Sequence, residues 1–347
     1  MKDTFINCAR ELKIAVIGDI MLDVYIDGTV ERLSPEAPNC IVLDETKRRY
    51  AVGGAGNVAH NLARFGVKTR LCGTLGTMEN EQYHMVLADR IKQVCDDTET
   101  MFGSLEFFPI AEAGTRLCTV KKRFRSEGQQ LLRVDREHRH PVVLGADPDG
   151  DSIGDTLKRA IDGVDAVILS DYGKGMLSDA VLAFLLPLLR KREIPYFVDP
   201  KRTNLLDYCQ IGGAIPEAVC PNHNEWVHSK QHEAPMGLTA ARAIIVTDGC
   251  HGCYHIGFDE FLQSWTQKYH KLKHEVSVAD PAGAGDTFVA ALTVAMMSSY
   301  KTNKGRLCVD EACQIANCLA SLTVVEHGIV VPDLLEAGLL IDSEVFS

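Results

Sequence analysis

Near the C-terminal end, Asp280-Pro281-Ala282-Gly283-Ala284-Gly285-Asp286-Thr287-Phe288 brings small residues up to one carboxylate, and an apolar run over 289–296 follows without Pro or Gly. The run predicts a buried helix. Glycines ahead of it let the backbone turn tightly and approach a ligand. The first turn of such a helix offers free N–H groups and the positive end of its dipole. That arrangement suits the charge that develops on a transferring phosphoryl group, and Asp286 at the same place could take the proton of an attacking hydroxyl. The plainer alternative is a glycine loop that starts a helix, with Asp286 as its cap.

Other stretches carry chemistry of their own. Gly54-Ala55-Gly56-Asn57-Val58-Ala59 satisfies G-x-G-x-x-G/A, yet Lys47-Arg48-Arg49-Tyr50 before it is not the apolar strand a dinucleotide fingerprint needs. The same glycines, with Asn57 able to donate and accept, suit close approach to a polyhydroxy ligand. The basic run Arg116, Lys121, Lys122, Arg123, Arg125, Arg133 is out of keeping with an acidic chain. At strand spacing Lys121, Arg123 and Arg125 share one face, which could meet a substrate phosphate or be merely solvated. Asn222 and Glu225, three apart, could hold Mg²⁺ through water or act as a helix-capping pair. Thr247-x-Gly249-x-x-Gly252 could cradle nucleotide phosphates with backbone N–H groups. The histidines are scattered and receive no role, and Cys250-x-x-Cys253 lacks the second pair of a zinc site.

The elements that must position these residues read as α/β. Residues 13–17 form an apolar run ending in Gly18-Asp19, residues 166–169 one ending in Ser170-Asp171, and residues 196–198 one ending in Asp199-Pro200-Lys201. A further run, 243–246, leads into Thr247. Continuous apolar runs are the signature of buried parallel strands, whose C-terminal ends gather ligands. Amphipathic helices are predicted over 58–65, closed by Gly66, and over 180–190. The expectation is a central, mostly parallel sheet with helices on both faces. It would be one domain over 1–347 carrying a small β lid, built from insertions at about 21–50 and 105–135.

Composition narrows the partners. With 347 residues, 46% hydrophobic and 24% charged, the chain can bury a full core. A net charge of −11 argues against nucleic acid or an anionic membrane surface. No stretch reaches the roughly 18 uncharged apolar residues of a membrane helix, and no signal peptide opens the sequence. Twelve irregularly spaced cysteines look like reduced thiols, so a cytoplasmic setting is expected.

In this order, the two glycine signatures, Gly53-Gly54-Ala55-Gly56-Asn57 and residues 280–287, resemble those of the ribokinase-like (PfkB) family of carbohydrate kinases, over about residues 13–331. Within it, Gly18-Asp19-Ile20-Met21-Leu22-Asp23, Arg32-Leu33-Ser34-Pro35-Glu36-Ala37-Pro38, Gln129-Gln130-Leu131-Leu132-Arg133-Val134-Asp135 and Ser170-Asp171-Tyr172-Gly173-Lys174-Gly175 are similar to the kinases of heptose 7-phosphate. Asp199-Pro200-Lys201 and Ala316-Asn317 add to that likeness.

The resemblance implies transfer of the ATP γ-phosphoryl group to the anomeric hydroxyl of D-glycero-β-D-manno-heptose 7-phosphate, on the way to lipopolysaccharide precursors. It implies Asp286 as base and the N–H groups of Gly283, Ala284 and Gly285 as anion hole. Asp19, Gly53, Gly54 and Asn57 would hold the sugar, with Arg133, Lys174 and Lys201 on its phosphate. Asn222 and Glu225 would organise Mg²⁺, while Thr247, Gly249, Gly252 and Asn317 line the ATP site. The lid would pair across a homodimer. Ala282 stands where the family usually has Thr, which leaves a monovalent cation open. The segment between Glu225 and Ala243 is short and residues 207–221 long for the family. No HxGH motif occurs, so adenylylation is expected of another protein. Other acceptors (fructose, ribose, a nucleoside) and a non-catalytic sugar- or nucleotide-binding regulator remain the alternatives.

Overall fold

The computed structural model describes residues 2–37, 40–76, 82–99, 103–110, 116–145, 152–209, 211–230, 241–259, 264–272, 276–302 and 309–332. Pro38 of the Arg32-to-Pro38 stretch lies outside them, as do 231–240 of the short segment, Gln210 of the long one and 111–115 of the expected second insertion. Helix α1 (Lys2–Glu11) leads into β1 (Lys13–Gly18), β2 (Ile20–Leu33) and β3 (Ile41–Gly54), then α2 (Ala55–Arg64), β4 (Lys68–Thr74), α3 (Gln82–Glu99) and β5 (Ser104–Ile110). A hairpin of β6 (Val120–Ser126) and β7 (Gln129–Arg136) precedes α4 (Ile153–Ala160), β8 (Ala166–Ser170), α5 (Asp179–Lys191) and β9 (Tyr196–Asp199). The chain continues through β10 (Ala218–Val219), α6 (His223–Val227), β11 (Ile244–Thr247), β12 (Cys253–Asp259), β13 (Ser264–His270), α7 (Ala284–Thr302) and α8 (Val309–Thr323).

Nine of these strands form one sheet in the order β13-β12-β11-β10-β9-β8-β1-β4-β5. Pairing is parallel from β11 through to β5, and the β12–β13 hairpin adds an antiparallel edge. Strand alternation splits the core in two. Ile14 and Val16 face one cluster with residues of α1, α2, α7 and α8, while Ala15 and Ile17 face the other with residues of α4 and α5. A sheet buried on both faces explains the unbroken apolar runs of its central strands.

The second sheet has the order β3-β2-β6-β7. The first half of β2 is buried and its polar second half is exposed, so this sheet leaves the body as it lengthens. It is a small β unit built from two stretches, 20–54 and 120–136. Residues 105–110 are not in it; β5 pairs in parallel with β4 as the last strand of the main sheet. An edge position also accommodates Pro109, which has no N–H to give a further neighbour. Residues 120–126 and 129–136 are two antiparallel strands rather than one, turning at Glu127-Gly128 with φ of 49° and 81°. No helix among the described residues is long and apolar enough to cross a membrane.

Candidate active site

Helix α7 begins at Ala284, directly after Gly283, whose φ of 89° is the left-handed conformation that favours glycine. A Cβ on Gly283 would lie 2.9 Å from Asn57 Nδ2, whereas one on Gly285 would meet nothing within 4 Å. Gly283 is thus required by the turn and Gly285 faces open space. Thr287 locks the turn from behind, donating to Asn61 Oδ1 at 2.9 Å and to the Gly283 carbonyl at 3.1 Å. The carboxylate of Asp286 is buried and doubly capped. Asn57 Nδ2 donates to Oδ2 at 2.7 Å, and the Tyr172 hydroxyl donates to Oδ1. Burial pushes the carboxyl up to about 6; the two hydrogen bonds and Lys121 pull it down, while Asp23 pushes it up. A carboxyl at that value, beside helix N–H groups, can accept a proton near neutral pH.

Three cavities meet around this turn. The largest, about 720 Å³, is lined by Asn222, Thr247, Gly249, Gly252, Ala284, Gly285 and Asn317, with Phe288, Leu272 and Val278 among its apolar walls. It brings together the residues expected at the ATP site except Glu225. Gly249 and Gly252 hold φ of 56° and 97°, and Asn317 is fixed by donating Nδ2 to the His270 carbonyl at 2.9 Å. A second cavity of about 130 Å³ shares Asn222, Thr247 and Gly285 and adds Asp171, Tyr172, Asp199, Lys201 and Glu225. Asn222 and Glu225 form a capping box on α6, Asn222 Oδ1 accepting from the Glu225 N–H at 2.9 Å. Glu225 Oε1 also accepts from Lys201 Nζ at 2.7 Å. The capping reading of this pair is thus realised, and both residues also line this cavity. Burial, followed by the charges of Asp286, Glu225 and Asp171, raises Asp199 well above the usual carboxylate range.

The third cavity, about 330 Å³, lies against the other side of the turn. Arg123, Arg125, Arg133, Gln130, Gly128 and His327 line it together with 279–282, Asp280 included. Arg123 and Arg125 are buried, so this strand face is turned inward. Arg123 is ion-paired with Asp23. Arg125 has Nε at 3.8 Å from Asp27 Oδ1, and its buried Nη1 has no hydrogen-bond partner.

Several expected residues stand elsewhere than the sequence suggested. Asp19 does not face the cleft. Its two oxygens accept the N–H groups of Tyr172, Lys174 and Met176, each at 2.9 Å, and it is buried as the anchor of loop 171–176. Asn57 spends its amide on Asp286 and accepts from Asn61, so it positions the carboxylate rather than standing free for a sugar. Lys174 is buried and paired with Glu137 at 2.7 Å. Arg133 is half-exposed and paired with Asp135 at 3.0 Å, yet remains on the arginine cavity. Gly53 and Gly54 are where close packing needs them: a Cβ would meet Asp23 Oδ2 at 1.9 Å or the Asp19 carbonyl at 2.4 Å.

The residues missed are Asp23 and Tyr172. Asp23 lies against Gly53, and its charge is felt by both Asp286 and Lys121. The only trace of it in the sequence was a second carboxylate four residues after Asp19.

Comparison with known proteins fits this geometry. The pattern of the pfkB family of carbohydrate kinases matches residues 11–90 and 122–334. The chain belongs to that family. Among curated proteins it is 30% identical over 333 residues to the bifunctional protein HldE of Pelobacter propionicus, covering 94% of this chain and 62% of that one. It is 34% identical to the HldE protein of Hyphomonas neptunium, covering 82% and 55%. The chain thus spans under two thirds of the length of these relatives. Among solved structures, the fold is similar to Arabidopsis thaliana ribokinase complexed with ribose and ATP (TM-score 0.64, 17% identity, 95% and 98% of the two chains). It is also similar to phosphofructokinase-2 from Escherichia coli (TM-score 0.66, 16% identity, 95% and 99%).

Proposed function

We propose that the chain transfers the γ-phosphoryl group of ATP to the anomeric hydroxyl of a heptose 7-phosphate. The observation that carries this is the arginine cavity, where a buried guanidinium nitrogen lacks a partner beside the glycine turn. A buried guanidinium N–H left without an acceptor is costly, and a phosphate group is the acceptor that guanidinium geometry fits best. The cavity lies across the turn from the 720 Å³ pocket. An acceptor with a phosphate at one end could thus reach Asp286 with the other. Likeness of the lid stretches to heptose 7-phosphate kinases supports a heptose as the sugar.

In this reading ATP occupies the large pocket, and the N–H groups at Gly283, Ala284 and Gly285 receive the transferring phosphoryl charge. Asp286 takes the hydroxyl proton. The all-oxygen set of Asn222, Glu225 and Asp199 fits Mg²⁺, which would neutralise phosphate charge. No group of three His, Cys, Asp or Glu among the described residues could encircle a metal, so the ion would keep most of its water.

The test is ADP release from Mg·ATP with heptose 7-phosphate, fructose 6-phosphate, fructose and ribose. Selectivity for the heptose supports the proposal. Turnover of an unphosphorylated sugar alone removes the phosphate reading of the arginine cavity.

A further inference from the structure

Tyr172 is one of two side chains that hydrogen-bond the Asp286 carboxylate among the described residues. Its hydroxyl donates to Asp286 Oδ1 while Asn57 holds Oδ2. Its backbone is pinned, because the Tyr172 N–H and those of Lys174 and Met176 all end on Asp19. Its ring carries Lys121 Nζ at 5.2 Å from the centroid and borders Gly54, where a Cβ would come to 3.5 Å. The phenol is therefore fixed from three sides and aimed at one oxygen.

We infer that Tyr172 is a positioning residue for phosphoryl transfer, fixing the Asp286 carboxylate in the orientation that receives the acceptor proton. The inference rests on Asp286 being the base. A carboxylate oxygen has two lone-pair directions; one on each oxygen is taken by Tyr172 and Asn57, and the remaining ones define where the sugar hydroxyl can approach.

The same hydrogen bond has an electrostatic consequence. Asp286 is buried, and the charged groups around it are Asp23, which disfavours its ionised form, and Lys121, which favours it, while its own charge raises Asp199. Tyr172 favours it too, by donating. Burial and the Asp286 charge keep the phenol itself well above its ordinary pKa, so it stays a donor throughout the working range. Losing it leaves a buried carboxyl that holds its proton to higher pH.

The experiment is the pH profile of kcat for Tyr172→Phe, with Mg·ATP and whichever sugar of the panel turns over fastest, next to Asp286→Asn. A charge-assisted hydrogen bond corresponds to an upward move of the acid limb by about one pH unit or more, with most of the rate recovered at alkaline pH. A loss equal at every pH, or an unmoved limb, with Asp286→Asn inactive, overturns the inference and leaves the base in place. Retained activity in Asp286→Asn overturns both. Should Tyr172→Phe not fold, difluorotyrosine installed at position 172 alone makes the phenol a stronger donor; the acid limb must then move down, and an unmoved limb overturns the inference.

Discussion

Replacing Arg125 by Met separates the two ends of the proposed acceptor. The guanidinium is 5% exposed, its nearest counter-charge is Asp27 at 3.8 Å, and Nη1 is unpartnered. Met keeps the unbranched stem and removes the charge. In the free protein this costs little, because Asp27 retains Arg49 at 3.2 Å. The penalty for removing one partner of a buried pair comes from leaving the other charge uncompensated, and Asp27 keeps a cation of its own. With a phosphorylated acceptor the substitution costs more. A hydrogen bond between charged groups contributes about 1.5–3 kcal/mol, which is roughly 10- to 150-fold in kcat/KM. The contact is remote from the reacting hydroxyl, so the loss should fall mainly on KM. The assay is kcat/KM for heptose 7-phosphate and for unphosphorylated heptose, with a thermal melt of each protein. An equal loss on both acceptors, or no loss on either, refutes the assignment of Arg125 to a phosphate. A melt lowered by several degrees would show that Arg125 is structural.

Asp286→Asn should lower kcat by about 10²- to 10⁴-fold, the worth of a general base, while nucleotide affinity measured by calorimetry is kept. In the unaltered protein the base works ionised, so kcat should fall as pH drops through about 6; a rate flat through that range would take the role from Asp286. Gly285→Ala should melt normally, since its Cβ meets nothing, yet lose turnover by filling the space between the two nucleotide-side cavities. Gly283→Ala, at φ 89° and 2.9 Å from Asn57, should instead lose about 1–3 kcal/mol of stability. Equal melts for the two alanine variants would contradict the geometry of the turn. Exposed Leu131, Leu132 and Val134 on β7 suit the proposed pairing of two lids. Leu132→Asp should then give a monomer by light scattering, and an unaltered protein that is already monomeric removes the dimer.

Much of this site was legible in the sequence because buried parallel strands write themselves plainly. β1, β8, β9 and β11 are continuous apolar runs whose polar ends deliver Asp19, Asp171, Asp199 and Thr247 to one edge. The glycine turn before α7 was legible for a related reason: a left-handed residue and an open space at a helix start both demand glycine. The antiparallel edge β12–β13 was not, since its second strand is polar and mostly exposed and carries no strong alternation. The division of labour between Asp19 and Asp23 was illegible too. Both are carboxylates on one short stretch, and only the fold shows that loop 171–176 takes the first while Gly53 leaves room for the second. Lys174 read as a free cation because Glu137, which neutralises it, lies 37 residues away. The burial of Arg125 beside Asp27, with Nη1 unbonded, likewise depends on the register of β6 against β2.

The charges around the glycine turn are segregated in a way that bears on the order of the reaction. On one side stand Arg123, Arg125 and Arg133 around Asp280; on the other, Asp171, Asp199 and Glu225, the last paired with Lys201. Both substrates of the proposed reaction are anions, so the two sides must receive them by different means. The arginine side can take a phosphate directly. The acidic side repels one unless a divalent cation arrives with it, and it is the side that opens through Asn222, Thr247 and Gly285 into the large pocket. A nucleotide without its metal would meet carboxylates where its terminal phosphate belongs, while a metal-bound one would relieve their mutual repulsion. In the proposed reaction the same cluster that makes Asp199 hard to ionise would favour the metal-bound nucleotide.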